Sequence, residues 1–348
     1  MKPARRGGKP RPKRRSRNAD LPAPGRRRPS RALFAGAVLI LIMAACVGIW
    51  RTQVRADGGA RAGREALLLP PASSPPPFDG KRAYEILKKQ VSFGPRVPGH
   101  GGHDICRDYL VAQLKPLADE VSLQDCSIVL DRRKVPMENV IARWKPKEPG
   151  GVLLCAHWDT RPTADQETDP ARRRLPIPGA NDGASGVAVL LELAQQFKKA
   201  PPPVPVWLAL FDGEDYGPGI DRMFLGARYF ANHLPAGVPQ VGILLDMIGD
   251  RDLEIPEEPN SMRAAPAVVR DVYQIAAKLG HSREFPARPG PEIEDDHLPL
   301  IEKGLQVIDL IDFTYPAWHT LADTPDKCSA QSLQTVGDVL SAWVYSRR

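Results

Sequence analysis

Apolar and polar positions change rhythm twice along this chain. Residues 1–31 hold no apolar run, residues 32–50 hold no charge, and from about residue 79 short apolar blocks alternate with segments of helical spacing. "KRAYEILKKQV" spaces Ala83, Ile86, Leu87 and Val91 as one helix face, and "FGPRVPGHGGH" interrupts it with turn residues. "CRDYLVAQLKPL" predicts a second helix, and "EVSLQDCSIVL" and "ENVIARW" predict two strands of a meander. A strict alternation follows: strand "GVLLCAHW", helix "GASGVAVLLELAQQFKKA", strand "VPVWLALFDG", helix "LGARYFANHL", strand "VGILLDMIG", helix "APAVVRDVYQIAAKLG", strand "LQVIDLID" and closing helix "AQSLQTVGDVLSAWVYS". Apolar strands alternating with helices predict an α/β fold with a central, mostly parallel mixed sheet flanked by helices. No internal repeat is evident.

The charge changes the picture at the N-terminus. Of the net +7, residues 1–31 account for more than all, with 13 Lys and Arg against the single acid Asp20. The remainder is acidic, so the chain is not read as a nucleic-acid-binding protein. Next comes "ALFAGAVLILIMAACVGIW", residues 32–50. As a helix it spans about 28 Å, close to the ~30 Å of bilayer hydrocarbon. This predicts an uncleaved transmembrane helix with the basic tail 1–31 in the cytoplasm and the body outside it, by the positive-inside rule. A cleaved signal peptide is the alternative. The long basic leader and the lack of a small-x-small site after the apolar run weigh against it. Residues 51–78, rich in Pro, Ala, Gly and Ser, predict a linker, and 79–348 the folded domain. Cys46 lies in the apolar run, and Cys106, Cys126, Cys155 and Cys328 form no C-x-x-C pair. Spacing leaves one bridge, such as Cys106 with Cys126, open.

Ligands of such sheets bind beyond the carboxyl ends of the strands. His157 and Asp159 close one strand, Glu214 and Asp215 follow the next, Asp246 sits late in a third, and His319 lies in the loop after the last. Asp182 stands in the turn before a helix. Singly, each has an ordinary explanation: an Asp before a helix caps it, and "GED" is a solvated turn. Together, Asp, Glu and His without cysteine suit a zinc-class ion in a hydrolytic or acyl-transfer site.

The blocks "AHWDT", "GANDGASGVAVLLELA", "FDGEDYG", "LLDMIGD", "DDHLPLIEKG" and "WHTLADTPDKCS" resemble, in order and spacing, zinc peptidase family M28, and within it the glutaminyl-peptide cyclotransferase branch. The resemblance covers roughly residues 80–348. It implies one of two activities on peptide N-termini. In the cyclase branch one zinc is held at the positions of Asp182, Asp215 and His319, with Glu214, Asp246 and Asp295 as an acidic cluster that moves protons. N-terminal glutamine becomes pyroglutamate and ammonia leaves. In the aminopeptidase branch two zinc ions are held, one by His157 and Asp246, the other by Asp215 and His319, with Asp182 bridging. A non-catalytic binding ectodomain is a third reading, disfavoured because Glu214 and the ligand positions are intact.

The chain departs from the animal cyclases at two positions. Asp215 stands where they carry Glu, and the loop 216–223 lacks their tryptophan. Trp318 is expected to wall the substrate pocket and, lacking that partner, to do so alone. For Asp295 the competing expectation is an N-cap of the helix that follows.

Overall fold

A computed structural model describes residues 75–130 and 132–348. The basic tail, the apolar run 32–50 and nearly all of the 51–78 linker lie outside the described residues, so the expected membrane span does too. None of the described helices is long and apolar enough to cross a membrane.

In chain order the elements are α1 Gly80–Val91, α2 Gly101–Leu114, β1 Glu120–Asp125, β2 Ile128–Leu130, β3 Arg133–Val135, β4 Glu138–Trp144, β5 Val152–His157, α3 Ala184–Lys199, β6 Val206–Phe211, α4 Leu225–Asn232, β7 Val241–Asp246, α5 Pro259–Ala264, α6 Pro266–Leu279, α7 His297–Glu302, β8 Gln306–Ile311 and α8 Ala330–Tyr345. Six strands make one sheet in the order β1-β4-β6-β5-β7-β8. The pairings among β6, β5, β7 and β8 are parallel, and β4 joins β6 and β1 antiparallel. This is the mixed, mostly parallel sheet expected. The expected strand over 120–130 instead breaks at Cys126, and β2 leaves to pair with β3 as a separate hairpin.

Side chains alternate across the sheet, so each strand feeds two cores. Leu154, Ala156, Leu208, Leu210, Ile243, Leu245, Ile308 and Leu310 face α1, α3, α6 and α8. Leu153, Cys155, Trp207, Ala209, Phe211, Leu244 and Val307 face α4 and α7. Every residue of β5 and β6 is buried, which is why their sequences are continuous apolar runs. Each such side chain contributes roughly 1.5–3 kcal/mol, enough to hold the strand ends and their polar loops in register.

The second helix begins five residues before its expected start, because "GGHDI" is helical rather than turn. Gly102 explains this: a Cβ there would meet the Phe93 and Pro95 carbonyl oxygens at 2.6 and 2.7 Å, so glycine is needed for contact rather than for bending. Cys106 and Cys126 are buried free thiols, as are Cys155 and Cys328, so the bridge left open by spacing does not form. Burial pushes the Cys106 thiol up to about 12.

Candidate active site

The carboxyl ends of the four parallel strands converge on one edge, and the expected residues arrive there together. His157 and Asp246 are the last residues of β5 and β7. Glu214 and Asp215 follow β6, His319 follows β8, and Asp182 precedes α3. All six are buried. The capping explanations fail in the structure. Gly183 is the N-cap of α3, leaving Asp182 free of that task, and no side chain caps α7. The Asp295 side chain accepts only from the Asp296 amide, at 2.5 Å.

Two groups of ligand-type atoms form. In the first, His319 Nε2 lies 3.3 Å from Asp215 Oδ1 and 3.6 Å from Asp182 Oδ2. A tetrahedral zinc with bonds of about 2.0–2.1 Å sets its ligands roughly 3.3 Å apart, so this spacing suits the ion. Asp215 Oδ2 is buried without a hydrogen-bond partner, a lone pair a cation would satisfy. In the second, His157 Nε2 lies 3.1 Å from both Asp182 Oδ1 and Asp246 Oδ1, and its contact with Asp246 is a hydrogen bond. Asp182 belongs to both groups.

The field at this edge is strongly negative. Burial opposes a charge on His319, but Asp215 and Asp165 outweigh it and raise the imidazole to about 10. Asp215 is also buried, yet His319 and Arg161 hold it well below the carboxylate range. Burial, then the charge of Asp215, pushes Glu214 well up. Asp295 and Asp296 are raised in the same way, by burial first. Glu214, beside Asp215, therefore has a raised affinity for a proton. A further buried set, Asp295, His297 and Asp309, also has metal-type spacing. Burial pushes both its carboxyls well up.

A model of peptidase family M28 matches residues 139–344, more than half of the chain and every ligand position named above. The chain belongs to peptidase family M28. Among solved structures, glutaminyl cyclase from Bacteroides thetaiotaomicron is 34% identical, with a TM-score of 0.76 over 79% of this chain and 100% of that one. A Zn-dependent exopeptidase from Parabacteroides distasonis is 35% identical, with a TM-score of 0.75 over 78% of this chain and 99% of that one. The glutaminyl-peptide cyclotransferase-like protein of Mus musculus is 26% identical over 72% of this chain and 71% of its own length. The ion that suits this M28 site is zinc.

The M28 core also shows what sequence reasoning missed. Trp318 is half-buried and stacks on His319 with ring centroids 4.0 Å apart, but it does not stand alone: Phe313 packs against it at 4.9 Å. An exposed phenylalanine just past an apolar strand was the available signal. Asp159 is a support rather than a ligand: its two oxygens accept from the Glu214 and Asp215 amides at 3.1 and 3.2 Å. Asp323 does the same for the Asp182 turn, accepting from Asn181 N at 2.8 Å, Asp182 N at 3.2 Å and Tyr315 Oη at 2.7 Å. His319 itself sits at φ +53°, a left-handed conformation that a non-glycine residue adopts under constraint from its surroundings.

Proposed function

We propose that this M28 enzyme is a zinc-dependent glutaminyl-peptide cyclotransferase acting on peptide or protein N-termini, with Asp182, Asp215 and His319 as the zinc ligands. The observation that carries the reading is the buried acidic cluster around Glu214, beside a three-ligand group spaced for one ion. Bound zinc supplies Lewis-acid polarisation of the glutamine side-chain amide. Trp318, stacked on His319 and backed by Phe313, is the surface proposed to receive that small, neutral side chain. Glu214 takes a proton from the peptide's α-amine as its nitrogen bonds to the side-chain carbonyl carbon. It returns the proton to the departing nitrogen, and ammonia leaves as the old C–N bond breaks. Asp295, with Asp296, raises the proton affinity of Glu214 by its charge, and Asp246 is the third acid of the proposed cluster.

A Gln-initiated peptide incubated with the zinc-loaded chain is expected to lose the mass of one ammonia while keeping every residue. Release of free amino acids instead would move the assignment to a two-zinc aminopeptidase, the second reading, which rests on the His157, Asp182 and Asp246 group.

Residues 32–50 are proposed as a single-pass anchor with the N-terminus cytoplasmic and the catalytic domain on the other side. Support comes from the uncharged run and the basic leader. Extraction of the full chain by alkaline carbonate would remove this part of the proposal.

A further inference from the structure

We infer that Arg161 and Asp165 are positioning residues that clamp two of the zinc ligands into a closed ring. The inference rests on the zinc reading of Asp182, Asp215 and His319. Arg161 Nη1 donates to Asp215 Oδ1 at 2.7 Å, while its Nη2 and Nε donate to Asp165 Oδ2 at 2.7 and 3.0 Å. The other oxygen of Asp165 lies 3.2 Å from His319 Nδ1. The ring therefore runs from Asp215 through Arg161 and Asp165 to His319, and His319 Nε2 faces Asp215 again at 3.3 Å.

Each link determines something about a ligand. The negative charge of Asp165, 3.2 Å from Nδ1, favours the proton on that nitrogen, which leaves the Nε2 lone pair toward Asp182 and Asp215. An arginine on Asp215 Oδ1 fixes the rotation of the carboxylate, with Oδ1 kept 3.3 Å from His319 Nε2 and Oδ2 buried and otherwise unpartnered. Asp215 is one methylene shorter than the glutamate of animal cyclases. Here Arg161 holds its side chain while Asp159 holds its amide at 3.2 Å. An exposed Arg–Asp pair four residues apart would contribute little. This one joins ligands from two different loops, and the Arg161 side chain is only 8% exposed.

The test is the zinc dissociation constant of the full chain, by competition with a chromophoric chelator, beside the melting temperature in excess chelator. Asp165→Asn is expected to weaken zinc binding about 10–100-fold, the usual loss when such a partner is removed. Asp165→Glu, which keeps the carboxylate, should recover much of that loss, and Arg161→Lys, which loses the fork, should not. Zinc affinities of Asp165→Asn and Arg161→Lys matching the unmodified chain would overturn the inference and leave the cyclase reading standing. So would an affinity loss that merely tracks a lower melting temperature in chelator and is not recovered by Asp165→Glu. An unmodified chain that binds no zinc would overturn both.

Discussion

Glu214 and Asp215 are adjacent, yet the structure separates their chemistry. Asp215 is held ionised by His319 and Arg161, whereas burial and that same ionised neighbour push Glu214 toward its protonated form. Glu214→Gln keeps the shape and removes the proton carrier while touching no proposed ligand. It should retain zinc at the unmodified stoichiometry and lose roughly 10²–10⁴-fold in kcat, measured by ammonia release. Full activity would show that another group moves the proton. Glu214 and the proposed ligands Asp215 and His319 were singled out because their types recur just past apolar strands, a pattern that periodicity exposes, and Asp182 because it stands in the turn before a helix. Arg161, Asp165 and Asp323 were not. Arg161 meets Asp215 across 54 positions and Asp323 meets Asp182 across 141, and neither "RPTADQ" nor "ADTPD" carries a local sign of such a partner.

Among the elements, β5 and α3 do most to shape the site, and they meet at Gly183. A Cβ there would lie 2.6 Å from His157 Cε1 and 2.7 Å from Nδ1. Neither side yields readily, since β5 is buried throughout and α3 is buried nearly all round. Gly183→Ala should therefore cost about 1–3 kcal/mol as overpacking and also weaken zinc by displacing Asp182. Gly280→Ala supplies the contrast. It closes α6 at φ +87° with nothing near its Cβ, so it should lower the melting temperature by backbone strain of about 1–2 kcal/mol and leave zinc affinity unchanged. Equal zinc affinities in the two variants would refute the role given to the β5–α3 contact. The strands and long helices that frame this contact were legible from their apolar periods. The hairpin β2–β3 and helix α5 were not, because each is held by tertiary partners, and α7 entered only as the competing expectation at Asp295. Glu258, for example, is the N-cap of α5 but is itself fixed by Ile293 N at 3.2 Å across 35 positions, while its pKa is lowered to about 2, burial being overcome by His297 and the Asn260 and Ser261 amides.

Across the whole molecule, the sheet edge gathers Asp159, Asp182, Glu214, Asp215, Asp246, Asp295 and Asp296, all buried, against His157, His319 and Arg161. Such a charge set must take up protons or a cation, so zinc and pH compete for the same stabilising role. His319 shows the sign. Its ordinary value is 6.5 and in the folded chain it is raised to about 10, so the stability it contributes without zinc is complete below about pH 6.5 and is lost as the pH climbs through 10. Zinc needs the neutral ring, so with zinc bound His319 carries no proton either folded or, above about pH 6.5, unfolded, and its contribution stays level. In excess chelator the melting temperature should accordingly fall between pH 7 and 9, by the His319 share of up to about 1.4 kcal/mol per pH unit. In saturating zinc that share of the fall should vanish, so the gap between the two melting curves should widen as the pH rises. His319→Ala should remove both the zinc effect and this part of the pH dependence. A gap that narrowed with rising pH, or survived in His319→Ala, would mean that the ion is held by His157 and Asp246 instead, and the proposed cyclase centre would have to be rebuilt around them.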